Sequence, residues 1–310
     1  MAITQRLANP ILEREALTRA RSWSTPVTMT LYLCLLGAFA LAMFSRAISG
    51  APDKLPAAED MANAAFLIVG FQLVLALLFV PALAAGAIAG ERERGTLDML
   101  VLSHLRPFDL AWGKLAAAVA YPVVLVVVSL PIVMSAFLYA GLDLGQLAIT
   151  QVLTLVTAIT LGAVATFLSA VSPSTVVATV GSYVAALGLY VVTVLLGAIP
   201  ADDGKTGLWG SVHPLLFANP FYALTAVTTA FEPAGASLGE LFHRLILRGG
   251  TPTPSGLVLQ PWQLGVLAQV VITAICLAAT GRVLSRRSRR PRKRAESPAG
   301  ATSDPVAAAS

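Results

Sequence analysis

From Glu91 to Lys114 the chain reads Glu-Arg-Glu-Arg-Gly-Thr-Leu-Asp-Met-Leu, continues through Arg106-Pro107, and closes on Gly113-Lys114. Alternating carboxylates and guanidiniums, a glycine and a short apolar set are chemistry for recognition. Leu97, Leu100 and Val101 fall at helical spacing and make one apolar face. Glu91, Arg92, Glu93 and Arg94 offer charges to the rim of a partner. Gly95 lets the chain turn sharply. Thr96, Asp98 and Arg106 complete the candidate docking set. The competing reading is an interfacial helix that anchors the segment among lipid headgroups.

Catalytic readings find little to stand on. Gly113-Lys114 is not a phosphate loop, because that motif needs a glycine where Phe108 stands and a Ser or Thr where Leu115 stands. His104, His213 and His243 all fall in loops. A metal enzyme or an intramembrane protease needs its ligands or base beside the reacting bond. Cys34 and Cys276 lie in apolar runs and read as small hydrophobes, not as a disulfide framework or a zinc site. The chain is therefore expected to bind no cofactor of its own.

The elements around the charged segment are apolar. Of the 310 residues, 56% are hydrophobic and 12% charged, where soluble domains carry about 25% charged residues. Mean hydropathy is +0.78. The apolar residues come in runs of about 20, the length a bilayer crossing requires. The fold class expected is an all-α membrane protein with six transmembrane helices. The spans are placed at about 27–45, 64–90, 110–142, 147–171, 175–199 and 262–281. The Ser172-Pro173-Ser174 break divides the uncharged stretch from Leu144 to Ala201 into the fourth and fifth spans. The first run begins only near Val27, so it is expected to remain as an uncleaved span.

Basic residues set the orientation. Arg6, Arg14, Arg19 and Arg21 precede the first run, Arg92, Arg94, Arg106 and Lys114 follow the second, and the segment from Arg282 to Arg294 follows the last. With six spans these all lie on one side, which places both termini in the cytoplasm. The net charge of +5, placed beside apolar runs, reads as orientation and not as nucleic-acid binding. Three regions follow: a cytoplasmic lead at 1–26, a permease domain at 27–281, and a basic tail at 282–310. In the lead, Asn9 and Pro10 open a helix through Ser22 that is expected to lie on the membrane surface. The basic tail either contacts anionic headgroups or serves only to orient the chain. Phe217 to Phe231 is apolar but short for a span, and Asn219-Pro220 interrupts it. A re-entrant or interfacial hairpin before span six fits better.

Polar residues inside the spans are sparse but patterned. Thr150, Thr154 and Thr157 share a face of the fourth span. Thr175, Thr179 and Ser182 form a similar line on the fifth, and Gln72 and Gln151 add amides. These line a path or a subunit interface, or the hydroxyls simply bond back to their own helices. With Lys114 assigned to the loop, the span interiors hold no Asp, Glu, Lys, Arg or His, which disfavours an ion-coupled carrier. Pro81, Pro122 and Pro131 are expected to kink their spans.

Glu91 through Leu100, followed by Arg106-Pro107 and Gly113-Lys114, resembles the cytoplasmic loop of ABC transporter permeases of the ABC-2, or type-two exporter, superfamily. Asn9 through Glu15 is similar to the opening of their connecting helix, and Asn219-Pro220-Phe221 resembles a motif of their last external loop. The resemblance implies a half-transporter in the bacterial inner membrane. Two such subunits pair, as a homo- or heterodimer, each with a cytoplasmic ABC ATPase that holds ATP and magnesium. The loop after the second span would form a coupling helix, and the second and third spans would carry its push into the bilayer. The weakly polar interior suggests export of an apolar or amphiphilic cargo. Two rivals stand beside this reading: an ion-driven secondary carrier, and a non-transporting component that passes ATP-driven motion to an external partner.

Overall fold

A computed structural model of the chain describes residues 24–49, 58–96, 107–197, 218–231 and 261–288. Those residues form helices and short turns, with no strand among them. In chain order the helices are α1 Ser24–Ser49, α2 Ala58–Ala84, α3 Gly86–Glu93, α4 Pro107–Ala140, α5 Leu144–Val171, α6 Thr175–Gly197, α7 Pro220–Phe231 and α8 Pro261–Ser288. Among the described residues six stretches are long and apolar enough to cross a bilayer: Pro26–Ser49, Asp60–Glu93, Trp112–Ala140, Leu144–Val171, Thr175–Thr193 and Trp262–Arg286. The chain is thus a multi-pass membrane protein. The last helix runs on to Ser288, past the expected boundary at 281.

Local sequence explains the ends. Pro107, Pro220 and Pro261 each open a helix, at the position where a missing N–H costs nothing. Gly141 closes α4 at φ +68°. Its N–H reaches the Leu138 carbonyl and that of Leu142 reaches Phe137, a crossed pair that a left-handed glycine permits. Asp143 then caps α5 by accepting from the Gly145 N–H at 3.0 Å. Ser172 is extended and ends α5, as a residue before proline is driven to be. The prolines differ in effect. α4 continues through Pro122 and Pro131, whereas the helix carrying Pro81 breaks at Ala85.

α5 is the most enclosed span. Within the bundle 61% of its apolar stretch is buried, against 17% for α1. It packs on α2, α4, α6, α7, α8 and α3. Between α1, α2 and α4 lies the largest apolar cluster, with Leu36, Ile68, Val69, Leu73, Val133 and Phe137 at its centre. Phe39 stacks on Phe71 at 4.1 Å between ring centroids, and Phe66 meets Phe137 edge-on. Elsewhere the outward residues of α1, α6 and α8 are apolar, among them Leu41, Val176 and Ile275.

Lipid is as apolar as leucine, so contact between spans depends on close packing and polar bonds. Gly162 supplies the closest approach. A Cβ there would lie 2.4 Å from Val119 Cγ2, between α5 and α4. α7 packs on α2, α5 and α8. Asn219 secures its start. Its Oδ1 accepts from the Phe221 N–H at 2.9 Å, and its Nδ2 donates to the Tyr190 carbonyl and to Thr193 Oγ1. One buried amide therefore caps α7 and ties it to α6.

Gly162→Ala is expected to lower the melting temperature of the detergent-solubilised chain, because overpacking costs about 1–3 kcal/mol and exceeds the gain of at most about 1 kcal/mol in helix propensity. Adding Val119→Ala should recover most of the loss.

Candidate functional site: a short helix clamped at one end of the bundle

α3 begins where α2 fails. Pro81 has no N–H to donate and its ring crowds the preceding turn. The Ala85 N–H closes α2 on the Pro81 carbonyl at 2.9 Å. Ala85 then occupies the cap position of α3, with no side chain able to cap it. The missing acceptor comes from another helix. Ser169 Oγ of α5, fully buried, accepts from the N–H groups of Ile88 at 3.0 Å and Ala89 at 2.8 Å.

The far end of α3 is closed by its own sequence. Gly95 sits at φ +70°, the left-handed region that disfavours residues with a Cβ. The Gly95 N–H donates to the Arg92 carbonyl at 3.1 Å and the Thr96 N–H to the Glu91 carbonyl at 3.0 Å. The Thr96 hydroxyl adds a bond to the same Glu91 carbonyl at 3.2 Å. Together these satisfy the Glu91 and Arg92 carbonyls near the end of α3 and turn the chain away.

Three consecutive charged side chains bind this helix to its neighbours. Arg92 Nη2 donates to the Ala170 carbonyl at 2.6 Å, and Nη1 donates to that of Ser172. These carbonyls lie at the end of α5, where helix geometry leaves acceptors without partners and the dipole is negative. Glu93 meets the adjacent start of α6. Its Oε1 accepts from the Thr175 N–H at 2.7 Å, and its Oε2 accepts from the Thr175 hydroxyl at 2.9 Å. A carboxylate belongs at that positive end. The order Arg92-Glu93 thus matches the order of helix end and helix start across the Ser172–Ser174 turn. Glu91 Oε1 pairs with Lys114 Nζ of α4 at 2.5 Å, with the two side chains 25% and 3% exposed. Lys114 lies inside the third span and not in a loop. It is an ionisable group at the margin of the bilayer, held by a carboxylate as such groups are.

The structure therefore places Glu91, Arg92, Glu93, Gly95 and Thr96 together, with their bonds made inside the chain. Leu97, Asp98, Leu100, Val101 and Arg106 lie outside the described residues, as do the proposed helix from Pro10 to Ser22, His104, His213, His243 and the tail beyond Ser288. The polar residues of the spans fall into two groups. Gln72 and Gln151 exchange amide bonds at 3.4 and 3.2 Å, and Gln72 also donates to Ser129 Oγ at 2.9 Å. Tyr32 of α1 is buried beside Gln72 and Ser129. Thr150, Thr154, Thr157, Thr179 and Ser182 bond back to carbonyls of their own helices. Thr157 also donates to Gln269 Oε1 of α8 at 3.0 Å. At Thr157 and Thr160 the face of α5 meets α8 within one copy of the chain.

Sequence reasoning missed Ser169, Ser129 and Gln269. Ser169 leaves a faint trace, a lone hydroxyl shortly before the Ser172-Pro173 break. Ser129 and Gln269 are sparse polar residues in largely apolar spans, and such a residue reads as a request for a partner.

Ser169→Ala should destabilise the chain by about 1–3 kcal/mol, the penalty of withdrawing an acceptor from buried N–H groups. Ser169→Cys, a weaker acceptor of similar shape, should fall between. Thermal melts in detergent read both. Glu91→Gln should cost more than Lys114→Met. It leaves a cation that is 3% exposed facing a neutral amide, whereas Lys114→Met leaves a carboxylate that is 25% exposed. Both should stay below the roughly 3–5 kcal/mol of a fully buried pair.

A search of curated proteins finds no match. The family described as ABC-2 family transporter protein matches residues 9–288. That stretch contains every helix of the bundle, the clamped helix and the Asn219 junction. Members of this family are transporter membrane components that work with an ABC ATPase subunit and are generally not enzymes themselves. A multi-pass helical bundle with a charged helix end at the close of its second span is such a component, and the chain belongs to the ABC-2 family of transporter proteins.

Proposed function

We propose that this chain is the permease subunit of an ATP-driven exporter, with ATP and magnesium held by a separate cytoplasmic ATPase. The observation that carries the reading is the build of α3. It is a short helix with both ends satisfied and with its charges tied to α4, α5 and α6. It delivers the chain through a left-handed glycine directly into Leu97–Arg106, the proposed coupling helix. A segment that only linked two spans would need no such anchorage. The ATPase docks on the apolar face of Leu97, Leu100 and Val101, with Asp98 and Arg106 at its rim.

The rest of the arrangement follows from charge and packing. Basic residues near α1, α3 and α8 favour cytoplasmic termini, with the chain in the inner membrane of a bacterium. Residues 10–22 lie along the inner surface as a connecting helix. α7 has 12 residues, so at 1.5 Å each it reaches about 18 Å, short of a bilayer crossing of about 30 Å. Its burial against α2, α5 and α8 supports a re-entrant hairpin over one lying flat on the surface. A second permease subunit, identical or related, completes the pathway. Amides and hydroxyls such as Gln72, Ser129, Gln151 and Thr157 dominate the buried polar set. Such an interior suits an apolar or amphiphilic cargo.

Gly95→Pro tests the coupling. Proline fixes φ near −65° and lacks the N–H, whereas this position needs φ +70° and donates to Arg92. The variant should insert at normal levels and lose ATP-driven efflux of a headgroup-labelled phospholipid by more than about tenfold, equivalent to roughly 1.4 kcal/mol. Membrane vesicles loaded with ATP provide the measurement. Undiminished efflux, or efflux that persists without ATP, contradicts the mechanism.

A further inference from the structure

We infer that α3 moves as one body with the α5–α6 hairpin and not with α2, so that force arriving beyond Gly95 enters the bundle through α5 and α6. The inference rests on the ATP-driven reading above and changes its route, which sequence alone assigns to the second and third spans.

The asymmetry of attachment carries it. To α2, α3 is joined by the chain at Ala85, just past a proline that removes a helix bond. To the hairpin it is joined at both ends. Ser169 holds two of its first N–H groups. Arg92 holds two carbonyls of the α5 terminus, and Glu93 holds the first N–H of α6. Small residues bring the backbones close. Ala85 and Ala89 pack on Ala178 of α6, and Ala87 packs with Ala165 of α5 beside Ala84 of α2 and Ala118 of α4. Gly90 faces Thr175, whose Cγ2 would make an ordinary 3.6 Å contact with a Cβ there. Each charged bond also sits on a helix end of the complementary dipole sign, so sliding by one turn would lose several at once.

Other contacts define where motion is possible. The Tyr183 hydroxyl of α6 donates to the Leu78 carbonyl of α2 at 2.5 Å, on the far side of Pro81. This bond should change when the end of α2 tilts. Deeper in, the Gln72–Gln151 pair keeps α2 and α5 together, which makes the expected motion a bend at Pro81–Ala85 and not a separation. Glu91 reaches Lys114 of α4 through long side chains that can follow a small tilt.

Paired spin labels test this without knowledge of the cargo. The chain would carry Cys34→Ala and Cys276→Ala, copurified with its ATPase and diluted into unlabelled chain. One pair, Arg94→Cys with Val191→Cys, lies within the proposed body. The other, Arg94→Cys with Val74→Cys, crosses the bend. All three labelled positions are exposed. Between nucleotide-free and vanadate-trapped ATP states, the first distance should hold and the second should shift by more than the roughly 1–2 Å of small helix adjustments. In an Arg92→Gln, Glu93→Gln background the first distance should become nucleotide-dependent. A first distance that shifts in the intact chain while the second holds overturns the route and leaves ATP-driven motion standing. If neither pair responds to nucleotide, the ATP-driven reading falls, and the route with it.

Discussion

A helix that stops within or beside a bilayer leaves N–H and C=O groups that water cannot reach, and the protein must supply their partners. This constraint organises the charged end of the bundle. The chain stops a helix at Ala84, starts another at Gly86, stops α5 at Val171 and starts α6 at Thr175. Each interruption exposes backbone dipoles. Ser169, Arg92 and Glu93 are the groups that meet them. Their identities follow from sign: an acceptor and a carboxylate face N–H groups, and a guanidinium faces carbonyls. What looks in the sequence like a run of surface charge is tied to neighbouring helices at Glu91, Arg92 and Glu93, while Glu93 and Arg94 also remain exposed.

The same reasoning applies along the spans, where apolar burial has little to offer because lipid competes on equal terms. α5 is held by close approach at Gly162 and by hydrogen bonds. Gln151 binds Gln72, and Thr157 binds Gln269. The remaining threonines turn their hydroxyls back onto their own carbonyls, which hides a polar group that would otherwise be costly in hydrocarbon. At the opposite end of the bundle from α3, Asn219 joins α7 to α6 by the same economy of one side chain with several bonds.

Much of this was legible in the residues. Runs of apolar sequence placed the spans, Ser172-Pro173-Ser174 divided the fourth from the fifth, and Gly95 marked a turn because few other residues accept a left-handed backbone. The type of contact was legible where its partner was not. Arg92 announces a need for acceptors, but the carbonyl of Ala170 lies 78 residues away and is invisible to any local pattern. Ser169 and Ser129 were lost for the same reason, since a lone hydroxyl in an apolar helix has a meaning only once the facing helix is known. Lys114 was read as loop although the third span, placed at about 110–142, already contained it. Reading it as loop overlooked that one lysine can lie inside a span if a carboxylate waits beside it.

The crossed bonds at Gly95 and Thr96 have a consequence for how α3 ends. The Glu91 and Arg92 carbonyls find their donors at Thr96 and Gly95, so these two acceptors of α3 are bonded before the following segment begins. The turn that ends α3 is thus self-contained, its donors and acceptors drawn from the six residues Glu91–Thr96.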